Sequence, residues 1–134
     1  MTAILQSKEH GVLTLTINRV DKKNALTADM YATLAEALSL AAASEEVRVV
    51  LLQGHETVFS AGNDIADFLQ QPPASPDSAV SRFLRGIAVF PKPLLASVCG
   101  PAVGVGTTML LHYDLVYAGD NAAFSMPFVN LGLC

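Results

Sequence analysis

The sequence has little cysteine and no tryptophan: its 134 residues include two Cys and no Trp. Cys99 lies in an apolar stretch and Cys134 is the last residue, so the two are too few and too distant for a disulfide framework or a zinc cluster. We therefore predict no metal site and expect a reducing, intracellular setting. The amino terminus has no secretory or transit-peptide pattern, so no peroxisomal or mitochondrial targeting is visible, and a bacterial protein is expected to be cytoplasmic.

Positive charge is also scarce, with 8 Lys and Arg against 12 Asp and Glu and a formal net charge of −4. No basic run forms the electrostatic footprint that phosphate backbones require, so nucleic acid is excluded as a partner. Because 51% of the residues are hydrophobic and only 15% are charged, the composition excludes disorder. It predicts one folded domain over residues 1–134.

One long uncharged run raises the question of a membrane span. Residues 93–113 are 21 consecutive positions without a formal charge, which is long enough to cross a bilayer. The run is crowded with helix-breaking residues, namely Pro93, Gly100, Pro101, Gly104 and Gly106. We therefore interpret it as strand, turn and helix buried in protein, and no membrane span is predicted.

Hydrophobic periodicity predicts that the chain opens with a strand, a helix and a second strand. Residues 11–17 alternate with a period of two, which is typical of a strand, and we expect them to pair with the residues just before them. Thr27 stands at an N-cap position before apolar residues at helical spacing, which predicts a helix of about four turns. Residues 47–52 are almost uninterruptedly apolar, as in a strand that is buried on both faces.

The rest of the chain repeats this alternation with short connections. The proline-rich residues 69–81 are interpreted as a surface loop of 13 residues. A helix is predicted next, which ends at the prolines of residues 90–93. Residues 94–98 indicate a strand, residues 107–113 a short helix and residues 114–119 another strand. The chain is therefore predicted to be an α/β protein.

Two glycine-containing loops each follow a predicted buried strand. We call residues 60–65 the first glycine loop and residues 100–106 the second. Backbone N–H groups in such loops are free to point at a negatively charged oxygen, although glycines after strands often serve only to make tight turns. The second loop does not match a nucleotide motif, because Thr107 and Thr108 stand where a P-loop needs Lys, and Met109 stands where a dinucleotide loop needs its third glycine.

The order of motifs resembles the enoyl-CoA hydratase/isomerase family, also called the crotonase family, over essentially the whole chain. The segments that carry the resemblance are NRVDKKNALT, FSAGNDI, PKPLLASVCGPAVGVG and DLVYAGDNAAFSMPFVNLGL. The resemblance implies a crotonase-like spiral of ββα turns, of which this chain would be the amino-terminal part. It also implies that an acyl-CoA thioester binds and that two backbone N–H groups hold its oxygen.

Site residues follow from the resemblance position by position. The two oxyanion donors fall on the backbone N–H groups of Asn63 and Val105. Preorganised donors of this kind stabilise the charge that develops on a thioester oxygen, and each is worth about 3 kcal/mol. The implied CoA-binding positions are Ala61, Gly62, Asn63, Asp64, Ile65 and Gly104. Lys22 and Lys23 are expected to meet the CoA phosphates, the alternative being a solvated surface.

The two glutamates that a hydratase of this family uses are missing. Thr108 and Phe128 occupy those positions, and neither side chain is a competent general base. The motifs AGNDI, GPAVGVG and MPFVNLGL instead resemble the peroxisomal-type Δ3,Δ2-enoyl-CoA isomerase branch, in which one glutamate follows the LGL segment. The resemblance thus implies a base a residue or two beyond Cys134. No cofactor is expected, since coenzyme A is part of the substrate.

Alternatives remain beside the isomerase. A hydratase or another reaction of the family would bring two carboxylates to the pocket, and a non-catalytic acyl-CoA-binding or scaffold protein would keep the fold without a base. The resemblance implies a homotrimer or a dimer of trimers. Half a spiral is also expected to expose wide apolar faces on residues 49–52 and 94–98. Asp64 is expected to cap a turn or helix, and the histidines, including His112, to be structural.

Overall fold

A computed structural model of the chain describes residues 2–72 and 75–132. Its helices and strands, in chain order, are β1 (Ile4–Glu9), β2 (Val12–Ile17), a 3-10 helix (Val20–Lys22), α1 (Ala28–Ala43), β3 (Val49–Gln53), α2 (Ile65–Gln70), α3 (Ala79–Ala88), β4 (Leu94–Val98), β5 (Pro101–Val103), α4 (Val105–Thr108), a second 3-10 helix (Met109–His112), β6 (Leu115–Ala118) and β7 (Ala123–Ser125). Strands and helices alternate along the chain, as the sequence predicted for an α/β protein.

The strands form two sheets. The larger sheet has the order β1-β2-β3-β4-β6, in which β1 and β2 form an antiparallel hairpin and every later pair is parallel. The smaller sheet pairs β5 with β7 in parallel. The strands β2, β3 and β4 are each followed by chain that leaves the large sheet and returns beside the same strand, so the fold advances as a spiral of strand and helix turns.

Helix α1 begins and ends where its sequence provides partners for the free backbone groups. The Thr27 side chain accepts a hydrogen bond from the Met30 backbone N–H, as predicted for an N-cap. At the other end, Lys92 Nζ donates to three backbone oxygens, those of Ala41, Ser44 and Val47, at 2.6, 2.6 and 2.7 Å. The Ala41 and Ser44 oxygens lie at the end of α1 and the Val47 oxygen lies in the connection to β3, so Lys92 ties the helix end to the chain that leaves it.

The core lies between one face of the large sheet and the helices α1 and α3. Leu15, Leu52 and Ala96 form one row across three strands of this face and are at most 2% exposed. The α1 residues Tyr31 and Leu34 pack into the same cluster. Burial of this apolar row and of the helix faces against it supplies the main driving force for folding.

The central strands do not expose the wide apolar faces that the sequence predicted. Within β3, Val50 and Leu52 are buried and Leu51 is half-buried, so both the predicted exposure and the predicted burial on both faces are wrong. The cause is that β3 and β4 lie inside the sheet, where neighbouring strands cover part of Leu51, while the helices of the core pack on the face that carries Val50 and Leu52. Large exposed apolar side chains lie instead on the edge strand β6 and in and after β7, namely Leu115, Val116, Tyr117, Phe124 and Met126.

Several predicted boundaries are also corrected. Of the predicted 13-residue loop, the first two residues end α2 and the last three begin α3, and Pro73 and Ala74 lie outside the described residues. Part of the second glycine loop is a strand, β5, because its backbone pairs with β7. The predicted strand of residues 47–52 is Val49–Gln53. In the ranges 2–72 and 75–132, no helix combines the length and hydropathy needed to cross a membrane.

Candidate active site

In the first glycine loop, the backbone N–H groups on either side of Asn63 donate hydrogen bonds to nearby residues of the same chain. The Ala61 N–H donates to the Lys23 oxygen at 3.0 Å, Gly62 N–H to Ser60 Oγ at 3.1 Å, and Asp64 N–H to the Leu26 oxygen at 2.9 Å. The Leu26 N–H in turn donates to the Gly62 oxygen at 2.8 Å, which makes a one-residue parallel bridge between Leu26 and Asn63. In such a bridge the N–H of the paired residue points away from its partner strand. The Asn63 N–H has no acceptor within the described parts of the chain.

The second glycine loop leads into α4 through an unusual backbone turn. Gly104 has φ +60° and ψ −121°, a conformation that glycine adopts without steric cost, and its N–H donates to the Ser125 oxygen at 2.9 Å. The Gly104 oxygen accepts from the N–H groups of Thr107 and Thr108. The N–H of Val105, at the start of this turn, donates to no acceptor in residues 2–72 and 75–132, as expected for a first helical residue.

Ser60 joins the two loops. Its backbone forms a parallel bridge with Ala102, in which Ser60 N–H donates to the Pro101 oxygen at 3.3 Å and Val103 N–H donates to the Ser60 oxygen at 2.9 Å. A Cβ added to Gly106 would lie 2.8 Å from the Ser60 oxygen. The two loops therefore pack backbone against backbone, which places both predicted oxyanion loops at one locus. Convergence of the Asn63 and Val105 N–H groups on a single point stays a prediction.

The side chain of Asn63 is held from the core. The hydroxyl of Tyr31, on α1, donates a hydrogen bond to Asn63 Oδ1. Tyr31 is 1% exposed, and its ring centroid lies 5.4 Å from that of Phe83. Burial raises the pKa of Tyr31 well above its usual value, so this phenol stays protonated and remains a donor.

Asp64 is occupied by structural bonds, as the sequence predicted for a capping residue. Its Oδ1 accepts from the Asp67 N–H at 2.9 Å at the start of α2, and its Oδ2 lies 2.8 Å from an Arg19 guanidinium nitrogen. The bond from the Asp67 N–H, and next the Arg19 guanidinium, lower the pKa of Asp64 below its usual value. A carboxylate with a lowered pKa and both oxygens engaged is a poor general base.

Lys22 and Lys23 lie on an exposed turn next to the first glycine loop. The backbone oxygen of Lys23 accepts from Ala61, and this turn follows the 3-10 helix Val20–Lys22. The side chains of both lysines are exposed, and neither makes an ion pair within the described ranges. Their position beside the loop is compatible with phosphate binding, which remains a prediction.

The two positions at which the resemblance expects hydratase glutamates lie close to the second loop. Thr108 ends α4, and its N–H donates to the Gly104 oxygen. The Phe128 ring is the nearest side chain to Gly104, since a Cβ added to Gly104 would lie 3.5 Å from it. An apolar ring therefore faces the turn that carries the second predicted donor.

The three histidine side chains make no hydrogen bond to either glycine loop within the described residues. His10, His55 and His112 are all exposed. No group of three or more potential metal ligands occurs among the described residues. A groove of about 600 Å³ lies between α1 and α3 and is lined by Leu38, Arg82 and Gly86 among others, on elements that carry neither glycine loop.

Sequence reasoning missed the residues that position the loops. Asn24 is fully buried at φ +57°, accepts from Arg19 N–H at 2.7 Å, and donates to the oxygens of Val58 and Phe59 at 3.3 and 3.1 Å. Ser60 Oγ donates to the Asn24 oxygen at 2.9 Å. Asn tolerates a left-handed backbone conformation better than most non-glycine residues. That preference is the one sequence signal that could have identified Asn24.

Comparisons with known proteins bear on the family of the chain. A family profile described as Enoyl-CoA hydratase/isomerase matches residues 7–134. The chain is 37% identical over 136 aligned residues to enoyl-CoA delta isomerase 2 of Homo sapiens, covering 96% of this chain and 34% of that protein. It is 33% identical to 2,3-dehydroadipyl-CoA hydratase of Escherichia coli (strain K12), covering 99% of this chain and 52% of that protein.

A solved structure shows the same fold. The structure of Pseudomonas aeruginosa OdaA superposes with a TM-score of 0.95 at 56% identity, covering 98% of this chain and 53% of that one. The predicted crotonase-like fold class is therefore confirmed. The chain spans about a third of the human relative and about half of the bacterial ones.

Proposed function

Because the chain belongs to the enoyl-CoA hydratase/isomerase family, we propose that the whole protein converts 3-enoyl-CoA thioesters to 2-enoyl-CoA thioesters. The observation that carries the proposal is the pair of backbone N–H groups, on Asn63 and Val105, that lack acceptors in two loops packed against each other. Donors of this kind are suited to an oxyanion, because they are fixed before the charge develops.

The proposed reaction moves one proton. A carboxylate removes the proton from C2, and the electrons of that C–H bond delocalise onto the thioester oxygen as a dienolate. The N–H groups of Asn63 and Val105 donate to this oxygen, each contributing about 3 kcal/mol to the transition state. The same carboxylate then returns the proton to C4, and the double bond ends between C2 and C3. Since no electrons leave the substrate, the reaction requires no redox cofactor, and the two N–H groups stabilise the oxyanion.

The resemblance assigns that carboxylate to the segment after Leu131 and Gly132. Leu133 and Cys134 lie outside the described residues. The carboxylates nearest to Asn63 in sequence do not compete for the role, because Asp64 is paired with Arg19 and Asp67 accepts from the Ala28 N–H at 2.8 Å. As the resemblance implies, the base of the proposed isomerase is a glutamate a residue or two beyond Cys134.

Phe128 supports an isomerase over a hydratase. Water addition in this family requires a second carboxylate to activate the water, and the Phe128 ring lies against Gly104 where that group is expected. An apolar ring lowers the local water content, which favours return of the proton to carbon over attack by water. The oxyanion site is the same for both reactions.

The proposal also covers the residues that bind CoA and the oligomeric state of the protein. The backbone of Ala61, Gly62, Asn63, Asp64 and Ile65 lines the CoA site, Gly104 lies at its inner end, and Lys22 and Lys23 meet the phosphates. The protein forms homotrimers or dimers of trimers, and in a bacterium it works in the cytoplasm. These statements extend the family resemblance to this chain.

Two assays on the whole protein test the proposed reaction. One follows conversion of 3-hexenoyl-CoA to 2-hexenoyl-CoA, and the other follows hydration of crotonyl-CoA. We expect isomerisation with little or no hydration, and we expect substitution of the first glutamate after Leu133 by Gln to lower isomerisation by about 10²- to 10⁴-fold, the range for loss of a general base. A glutamate on the exposed part of α1, Glu36, provides the matched control as Glu36→Gln.

A hydratase is the second candidate, because the Escherichia coli relative bears a hydratase name. Rapid hydration of crotonyl-CoA by the wild-type protein would favour it and contradict the isomerase. Binding of 3-hexenoyl-CoA without turnover, unaltered by the Glu→Gln change, would instead identify a non-catalytic acyl-CoA-binding protein.

A further inference from the structure

Tyr31 is a polar side chain buried in the core with its hydroxyl at the candidate site. It lies in the first half of α1 and packs on Phe83 of α3, so its ring is fixed by two helices. Its hydroxyl donates to Asn63 Oδ1, the one side-chain hydrogen bond that Asn63 makes within the described ranges. A buried phenol needs such a partner, because an unsatisfied hydroxyl in the core is costly.

The backbone at Asn63 is anchored on the side that faces Leu26. The direction of the Asn63 N–H is set by the peptide plane between Gly62 and Asn63, and the oxygen of that plane, on Gly62, accepts from the Leu26 N–H at 2.8 Å. The neighbouring N–H groups of Gly62 and Asp64 are fixed by hydrogen bonds, whereas the Asn63 N–H has no acceptor among residues 2–72 and 75–132. The side-chain bond to Tyr31 therefore restrains Asn63 from the core, in addition to its backbone bridge with Leu26.

We propose that Tyr31 is a positioning residue for the thioester site: its hydroxyl holds the Asn63 side chain and thereby aims the Asn63 backbone N–H at the thioester oxygen. The inference rests on the proposed function, since it assumes that this N–H is an oxyanion donor. Tyr31 itself does not touch substrate. Its effect reaches the reaction through the Asn63 side chain, which distinguishes it from a residue that only stabilises the core.

A double-mutant cycle on the whole protein tests this route of action. The four proteins are wild type, Tyr31→Phe, Asn63→Ala and the double variant. Tyr31→Phe removes the hydroxyl and keeps the ring that packs on Phe83, and Asn63→Ala removes the acceptor and keeps the backbone N–H. Two residues that act through one contact give non-additive effects, whereas independent effects add.

Two readouts are measured on each protein. The first is kcat and KM for 3-hexenoyl-CoA. The second is the carbonyl stretching frequency of bound hexanoyl-CoA labelled with ¹³C at the thioester carbon, which falls as hydrogen bonds polarise the carbonyl. Hexanoyl-CoA has no double bond to move, so this measurement does not depend on turnover. Thermal unfolding of all four proteins reports any loss of stability separately.

We expect Tyr31→Phe to lower kcat about tenfold with KM changed less than about twofold, a fraction of the 10²- to 10³-fold that loss of a whole oxyanion donor costs. The carbonyl frequency of the bound probe should return part of the way toward its value in water. In the Asn63→Ala background, Tyr31→Phe should have no further effect on either readout. Tyr113→Phe is the matched control, because it removes a phenol hydroxyl whose contact is the Met109 sulfur at 3.7 Å.

Four results would contradict the role of Tyr31, the proposed reaction, or both. An unchanged carbonyl frequency in Tyr31→Phe, or an effect of Tyr31→Phe that persists undiminished in the Asn63→Ala background, would overturn the positioning role. A wild-type protein that polarises the hexanoyl-CoA carbonyl and fails to isomerise 3-hexenoyl-CoA would overturn the proposed reaction while leaving the role of Tyr31 supported by the frequency shift. A wild-type protein that does not polarise the carbonyl would overturn both.

Discussion

The two glycine loops meet at Ser60 and are held in opposite ways. The first loop, Ser-Ala-Gly-Asn-Asp-Ile, has three polar side chains, and each of them is hydrogen-bonded: Ser60 to Asn24, Asn63 to Tyr31, and Asp64 to Asp67 and Arg19. The second loop, Gly-Pro-Ala-Val-Gly-Val-Gly, has no polar side chain at all. Its backbone pairs with β7 and Ser60, and its glycines leave room for that close approach. Two side chains from outside the loop also bind its backbone: Asn121 Oδ1 accepts from the Gly100 N–H, and Thr107 Oγ1 donates to the Ala102 oxygen.

The difference predicts how each loop fails. A loop held by polar side chains loses stability in steps as those groups are removed, because each bond contributes about 1 kcal/mol. The second loop has two side-chain hydrogen bonds, both from residues outside it, so we expect it to fail mainly when atoms are added to its glycines. Both loops carry one predicted oxyanion donor, so either kind of failure should lower activity.

Gly106→Val should have the largest effect. A Cβ at this position would lie 2.8 Å from the Ser60 backbone oxygen, and neither backbone can move without parting the two loops. We expect a loss of more than about 3 kcal/mol in the free energy of unfolding and more than about 100-fold in kcat/KM. Denaturant unfolding and the 3-hexenoyl-CoA assay measure the two effects.

Two other glycines serve as comparisons for Gly106. Gly86→Ala, where an added Cβ meets only Leu38 at 3.7 Å, should be neutral or stabilising by up to about 1 kcal/mol, since Ala favours a helix over Gly. Gly104→Val should also lower stability and activity, because a valine is strained at φ +60°. Steric contact is not the cause here, since the added Cβ would meet only the Phe128 ring at 3.5 Å. Full activity in Gly106→Val would show that close backbone approach is not what holds the second loop.

Asn24→Ala should have the next largest effect, and it acts on the first loop. The substitution removes three hydrogen bonds to the backbone of Arg19, Val58 and Phe59, and it places Ala at φ +57°. We expect unfolding to become easier by about 3 kcal/mol, as buried backbone groups lose their partners. Asn24→Gly separates the two causes, because Gly accepts the positive φ. Wild-type stability in Asn24→Gly would show that the side-chain bonds contribute nothing.

The sequence was sufficient to predict the helices and strands that have a clear local pattern of apolar residues or caps. Period-two alternation gave the correct β2, and the Thr27 cap with its helical spacing gave α1. The sequence was insufficient to predict which strands of the sheet are exposed. The burial of Val50 and the exposure of Tyr117 depend on strand order and not on local pattern. Long-range neighbours decide which of several apolar strands lies at an edge.

In the candidate site, too, some residues could be predicted from the sequence and others could not. The glycine loops were found from the sequence, since glycine after a strand is a local signal. Asn24 and Tyr31 were not, because their importance lies in contacts with residues 34 and 32 positions away, Val58 and Asn63. A tyrosine at a core position of an amphipathic helix looks like any other apolar residue until the partner of its hydroxyl is known.

Ser60→Ala should have a smaller effect than Asn24→Ala, because fewer bonds are lost. Ser60 Oγ donates to the Asn24 oxygen and accepts from the Gly62 N–H, and both partners lie in buried chain. We expect a loss of about 1–2 kcal/mol in the free energy of unfolding, with the second loop undisturbed. Ser97→Ala, at a half-buried serine of β4, is the control for loss of one hydroxyl. A loss as large as that of Gly106→Val would mean that the two loops do not fail independently.

Asp64→Asn should have the smallest effect, and its effect should depend on pH. Asn is also a good N-cap, so the variant removes the charge that faces Arg19 and keeps the cap of α2. In the folded protein the pKa of Asp64 lies below its usual value, because the Asp67 N–H and then Arg19 stabilise the carboxylate. The unfolded-state value is about 3.9. A pKa that is lower in the folded state stabilises the protein above the unfolded-state pKa, and this stabilisation is lost as the pH falls through the folded-state pKa.

The stability difference between wild type and Asp64→Asn should therefore stay constant from pH 7 to about pH 5 and shrink at lower pH, as the wild-type carboxylate takes up its proton. Urea unfolding at intervals from pH 7 to pH 3 measures this difference. Asp120→Asn, which removes an exposed carboxylate, controls for the change in net charge. A difference that holds steady down to pH 3, or grows there, would show that the Asp64 carboxylate is not what joins α2 to the turn that carries Arg19. In that case the first loop would depend on its neutral hydrogen bonds alone, and the contrast with the second loop would be one of side-chain polarity without charge.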